Sequence, residues 1–284
     1  MMFHCRNCGY SKYRMCYSQL HDRFQGFEGV FGYGSCNRCN LIQIVDIPDN
    51  LANYYSDYRL HKHQSKMYSL FRRIIMGRCY PFSDAIGQQA VLDVGCGSGW
   101  YLKTMSKLGW KPFGYEMNSE VAESISNTLG YTVFSREEEL ERYIDYFDLI
   151  TFNFSFEHLV NPKQLLRKMI NCLKNDGKLS ISAPNIQSCE ASLFGNCWFH
   201  LDPPRHITFF PKSQLESILT EIGMRNIHIR NLAVPIGFAG SISYLLFDRF
   251  QPLAWYVGLC FGLIFCRIIR DGIYQISAIK PNYH

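Results

Sequence analysis

Asp93 and Glu116 are carboxylates that each close a short apolar run, and Asp93 leads into a glycine-rich turn, D-V-G-C-G-S-G over 93–99. The N–H groups of such a turn, and of a helix opening from it, point at a ligand, and the helix dipole adds positive character there. A dinucleotide fingerprint needs a third glycine where Trp100 stands. An acid ahead of the turn would crowd a pyrophosphate but suits a cationic or zwitterionic ligand. Glu116, at the next strand end, is where a partner for two ribose hydroxyls is usually found. The chemistry on offer is the holding of a nucleoside that carries a positive group. A glycine turn of an unrelated α/β protein is the plain alternative.

Cys5-x-x-Cys8 and Cys36-x-x-Cys39 form a second constellation. Four thiolates make a closed tetrahedral zinc site of structural type, with no open position for catalysis. The stretch 9–35 between the pairs is longer than usual, so a long hairpin or insertion separates them, and His4, Cys16 and His21 are nearby substitutes. Glycines at 26, 29, 32 and 34 suit the turns of a ribbon-like module over 1–45. Chance CxxC pairs with free thiols are the alternative. A redox pair would need a flanking βαβ pattern, which is missing.

The elements that must position these groups follow from hydrophobic periodicity. Strands are expected near 90–94, 111–115, 131–134, 147–153, 178–183, 225–230 and 272–280. Helices are expected over 100–108, 118–129, 136–144, 162–174 and 212–222, with Pro162 at a first helical position. Such alternation predicts an α/β fold with a doubly wound parallel sheet, whose ligands sit at the strands' carboxyl ends. Asp93, Glu116 and Asn153 all fall at such ends. The formal charge of +5 is spread along the chain, unlike the basic stripe of a nucleic-acid binder. The start, MMFHCRNCGY, shows no apolar stretch after its charges, so no secretory leader is expected. Twelve cysteines in that setting predict reduced thiols, metal and a cytoplasmic location.

Four segments in order, LDVGCGSG (92–99), GYEMN (114–118), FDLITFNFSFEHLVNP (147–162) and DGKLSISAPN (176–185), resemble the class I S-adenosylmethionine-dependent methyltransferases. The resemblance runs over about 85–230 plus one late strand and implies a Rossmann-like sheet of seven strands. It implies that Asp93, Gly95 and Gly97 contact the methionine moiety, that Glu116 holds the ribose, that Met117 packs on the adenine and that Asn153 lines the slot. For the adenine amino group only Ser135 and the run 136–139 are available, and that contact stays unassigned. In similar enzymes a tyrosine-bearing helix folds over the cofactor. Within a helical linker at 46–84 the candidates are Tyr54, Tyr55 and Tyr58, with core packing the equal alternative. Transfer to a hydroxyl calls for proximity and often a general base. His158 and His206 suit that task, while His200, Asp202 and Arg205 are candidates to orient substrate. A lid without proton chemistry is the other reading of 194–210.

The acceptor is less explicit. Similarity to bacterial methyltransferases with a four-cysteine zinc module points to a sugar or glycan hydroxyl, including a lipid-linked one. The sugar C-methyltransferases among them carry a further C-terminal domain not seen here, which weighs against C-methylation. A lipid or quinone hydroxyl is the runner-up, and a non-catalytic cofactor-binding or interaction protein is the rival class. A base-amine methyltransferase would show an N/D-P-P-Y/F tetrapeptide, and Asp202-Pro-Pro-Arg lacks the aromatic. Between 231 and 266 only Asp248 and Arg249 are charged, splitting two apolar segments at the lower edge of membrane-spanning length. Pro235, Gly237 and Gly240 interrupt the first and Pro252 the second, and Arg267 and Arg270 follow. A helical hairpin over 231–270 is expected, packed as a lid or homodimer surface, dipping into a membrane interface, or spanning. A last core strand follows in 271–284.

Overall fold

The computed structural model describes residues 3–55, 77–80 and 86–282. Seven strands make the main sheet: β4 (Ala90–Val94), β5 (Lys111–Tyr115), β6 (Thr132–Phe134), β7 (Phe147–Asn153), β8 (Leu173–Pro184), β10 (Arg225–Leu232) and β11 (Ile273–Ile279). Their order is β10-β11-β8-β7-β4-β5-β6. Neighbours from β8 to β6 pair in parallel, whereas β11 runs antiparallel to both β8 and β10. Strand order reverses around β4, so the crevice at its carboxyl end lies where such sheets bind ligands.

The central strands are apolar on both faces because helices cover both. Leu92, Phe113, Ile150 and Ile181 pack in one core and Val91 and Leu149 in another, the second against Tyr101 and Met105 of α1 (Trp100–Lys107). Helix α2 (Ser119–Leu129) is opened by Asn118, whose side chain accepts from the backbone N–H groups of Glu120 and Val121. Helix α3 (Pro162–Cys172) starts on its proline and runs straight into β8, so the strand expected at 178 begins at 173. The segment expected as a helix at 136–144 is a 3-10 helix over Glu137–Tyr143. Helix α5 (Lys212–Glu221) precedes β10.

A second, four-stranded antiparallel sheet joins β1 (Tyr13–Leu20), β2 (Phe31–Cys36), β3 (Ile42–Ile44) and β9 (Thr208–Phe209). Thr208 pairs with Gln43 and Phe209 with Ile42, so the segment expected as a plain loop after β8 supplies a strand to the N-terminal sheet. Trp198, Leu201 and Ile207 from that segment, together with α4 (Cys189–Phe194), share a core with Leu20, Tyr33 and Ile44. Of the helical linker expected at 46–84, 3-10 turns stand at Leu51–Tyr55 and Gly77–Cys79. Tyr58 lies outside the described residues.

The apolar stretch forms a hairpin of α6 (Ile236–Phe247) and α7 (Pro252–Ile268) between β10 and β11. Its glycines do not interrupt the helices; they let the helices approach closely. A Cβ on Gly258 would stand 2.9 Å from the Ala239 backbone, and one on Gly240 would stand 2.1 Å from the Phe199 ring.

Candidate active site

The turn after β4 takes its shape from glycine. Gly95 has φ +75°, and a Cβ there would lie 2.5 Å from that of Ser155, whose hydroxyl donates to the Val94 carbonyl. The Gly95 N–H donates to the Tyr115 carbonyl at 2.7 Å, tying the turn to the end of β5. Asp93 is buried, and its Oδ1 accepts from Thr151 Oγ1 at 2.7 Å and Asn153 Nδ2 at 2.9 Å, both from β7. Glu116 accepts from the Gly97 N–H at 3.1 Å and the Asn118 N–H at 3.2 Å through its two oxygens. Met117 is exposed beside it.

Asp93, Gly95, Gly97, Glu116, Met117 and Asn153 all line one cavity of about 920 Å³. The buried Oδ1 of Asn153 has no hydrogen-bond partner among the described residues. A lone acceptor beside the Asp93 carboxylate fits the ammonium of a zwitterionic ligand, and Glu116 fits a ribose diol. These residues therefore suit S-adenosylmethionine, and the volume leaves room for a second molecule.

The same cavity is lined by Glu157, His158 and His206. Their donor atoms lie within 4.8 Å of one another, and the two imidazole rings are 4.6 Å apart and nearly perpendicular. His206 Nδ1 lies 2.6 Å from the His200 carbonyl, and His158 Nδ1 lies 3.0 Å from the Arg205 carbonyl, to which Tyr55 also donates. Each carbonyl selects the Nδ1–H tautomer and leaves Nε2 as an acceptor. Burial, with His206 nearby, pushes His158 down to about 3, and burial also lowers His206, so both rings are neutral at neutral pH. Neither oxygen of the buried Glu157 carboxyl has a partner among the described residues, and burial raises it to about 8. The three groups together can take up a proton from an acceptor hydroxyl or hold a cation.

His200 and Asp202 also line the cavity, but Arg205 does not. Arg205 is fully buried and forks onto both oxygens of Asp22 and both of Asp202, with Gln25 as a further acceptor. It thus positions the loop instead of orienting substrate, the role expected of it from sequence. Burial pushes the Asp202 carboxyl up, yet the Arg205 guanidinium outweighs it and holds the group below the usual range.

Cys5, Cys8, Cys36 and Cys39 come together at the base of the N-terminal sheet, with Cys5 Sγ 3.4 Å from Cys39 Sγ and Cys8 Sγ 3.6 Å from Cys36 Sγ. Those spacings exceed a disulfide bond and suit four thiolates around one tetrahedral zinc. Of the expected substitutes, Cys16 is exposed and His21 pairs with Asp248 at 3.0 Å. Sequence reasoning passed over Glu157 and the aromatic wall made by Phe24, Phe250, Trp255 and Tyr256. An acid directly before a histidine at the end of β7 was the available signal for Glu157.

A family model described as "Methyltransferase domain" matches residues 63–229. A ubiquinone biosynthesis O-methyltransferase of Glaesserella parasuis is 33% identical over 106 residues, which cover 34% of this chain and 45% of that protein. A protein of the same name from Yersinia enterocolitica is 27% identical over 110 residues, 36% of this chain and 46% of its own. The matched region thus spans under half the length of these curated relatives. Among solved structures, an S-adenosylmethionine-dependent methyltransferase of Archaeoglobus fulgidus shares the fold with a TM-score of 0.52 at 20% identity, covering 82% of this chain and all of that one. A Haloferax volcanii methyltransferase, solved with its Trm112 activator, aligns with a TM-score of 0.56 at 14% identity over 84% of this chain and 100% of that one.

Proposed function

This chain belongs to the methyltransferase-domain family, and on that premise we propose that it transfers the methyl group of S-adenosylmethionine to a hydroxyl on an apolar, lipid- or quinone-type acceptor. The observation that carries the reading is a single cavity lined by the acids and glycines of the strand-end turns, a Glu-His-His group and an aromatic wall.

S-adenosylmethionine supplies an electrophilic methyl. Asp93 and Asn153 would hold its amino acid end and Glu116 its ribose, while Nε2 of His158 or His206 accepts the proton that the acceptor hydroxyl loses. Tyr55 and the Arg205 carbonyl keep the His158 ring in place for that role. Phe250, Trp255 and Tyr256 supply apolar surface for the acceptor and exclude water from the reacting pair. The relatives' printed name, a quinone-pathway O-methyltransferase, agrees with this acceptor class. The sugar or glycan hydroxyl expected from sequence draws no comparable support from the cavity wall or the relatives. A structural zinc on the four cysteines belongs to the same proposal.

Titration with S-adenosylmethionine is the first test. The Asp93→Ala chain is expected to bind it one to two orders of magnitude more weakly, as loss of about 1.5–3 kcal/mol from a charged hydrogen-bonding group implies. Unchanged affinity would sink the assignment. Methyl-labelled cofactor then separates the acceptors: label is expected on a prenylated phenol, and label only on a nucleotide-linked sugar would reverse the acceptor reading.

A further inference from the structure

Helix α7 turns its glycine side to α6 and shows an apolar stripe outward. Leu253, Val257, Phe261, Ile264 and Ile268 recur on one helical face and are exposed from 50% (Val257) to 79% (Ile268). Leu245, Leu246 and Phe247 extend the exposed patch to the hairpin's tip. A contiguous apolar face of this size marks an interaction surface. No helix among the described residues is long and apolar enough to cross a membrane.

The charges around the stripe select its partner. Asp248, the acid of the hairpin, is turned back onto the N-terminal segment, where Arg23 Nε lies 2.6 Å and His21 Nε2 3.0 Å away. Arg249 and Arg270 stand exposed at the two ends of α7. An anionic bilayer offers both an apolar depth for the stripe and phosphates for the arginines. We propose that the α6–α7 hairpin lies in the interface of an anionic membrane, with α7 parallel to its plane.

The mouth of the cavity adjoins the same face. Tyr256 is 60% exposed beside the stripe and also lines the cavity, as do Pro252 and Trp255 at the start of α7. A lipid acceptor can therefore pass from the bilayer along Trp255 and Tyr256 to the histidines without crossing water. The membrane surface stands on its own geometry, while this route rests on the acceptor reading above.

The test uses the full chain in flotation with vesicles of phosphatidylcholine, alone or with a third of it replaced by phosphatidylglycerol. Binding is expected to the anionic vesicles. It should fall at least ten-fold in a chain carrying Phe261→Asp and Ile264→Asp, neither of which lines the cavity. Melting temperature and S-adenosylmethionine affinity of that variant should match the parent. Absence of binding at millimolar lipid overturns the proposal, as does equal binding by the variant. A parent dimer in lipid-free solution that the variant converts to a monomer also overturns it, by showing a second copy on the face. Cofactor affinity, read on the same samples, tells failure of this surface from failure of the methyl-transfer reading.

Discussion

Glu157 is buried and the adjacent His158 half-buried, and loss of water moves the two in opposite directions. Glu157 rises from an ordinary 4.5 to about 8. The folded chain keeps a proton there that the unfolded chain has lost. Its contribution to stability is thus whole below pH 4.5 and drains away as pH rises towards 8. His158 falls from 6.5 to about 3, so its contribution is whole above pH 6.5 and is lost as pH falls towards 3. Replacing Glu157 with Gln removes the alkaline loss only. Melting curves should show Glu157→Gln close to the parent at pH 5 and several degrees above it at pH 8, and a shift that is the same at every pH would contradict the assignment. At this scale the cofactor end was legible, because Asp93, Gly95 and Glu116 sit on local strand-turn signals. Glu157 was not, because its isolation comes from a loop that returns some fifty residues later in the chain.

Among the elements, the hairpin shows where an apolar run reads well and where its glycines mislead. Two uncharged apolar segments located the hairpin, but Gly237 and Gly240 looked like breaks when each marks a close approach, as Gly258 does in the second helix. Substituting Gly258 by Val would drive a branched side chain into the Ala239 backbone. Overpacking of this kind costs about 1–3 kcal/mol, so thermal unfolding should come several degrees lower, and a higher KM for the acceptor should accompany it because Trp255 and Tyr256 of α7 form part of the cavity wall. An unchanged melting temperature would mean the two helices do not pack as described. Strand β9 was invisible for a different reason. Two residues have no period, and Thr208–Phe209 become a strand only because Gln43 and Ile42 offer an edge.

At the level of the molecule, the N-terminal sheet and the loop that carries His206 are one body. Arg205 ties Asp22 to Asp202, and Tyr33 donates to the carbonyls of Leu201 and His206 at 2.8 and 2.6 Å. A metal holding Cys5, Cys8, Cys36 and Cys39 would therefore steady His206 from a distance. Elemental analysis should find about one zinc per chain. Stripping it, or changing Cys36 to Ser, should lower both melting temperature and turnover while sparing S-adenosylmethionine affinity, since Asp93 and Glu116 sit on the other sheet. Equal stability with and without zinc would argue against a structural site. The shared sheet also sets a timetable for synthesis. When β3 leaves the ribosome its partner β9 is still untranslated, and at about 5–20 residues per second the gap lasts on the order of 10–30 s. Through that interval the nascent chain carries an unpaired strand edge, the kind of surface that pairs with other chains unless it is covered.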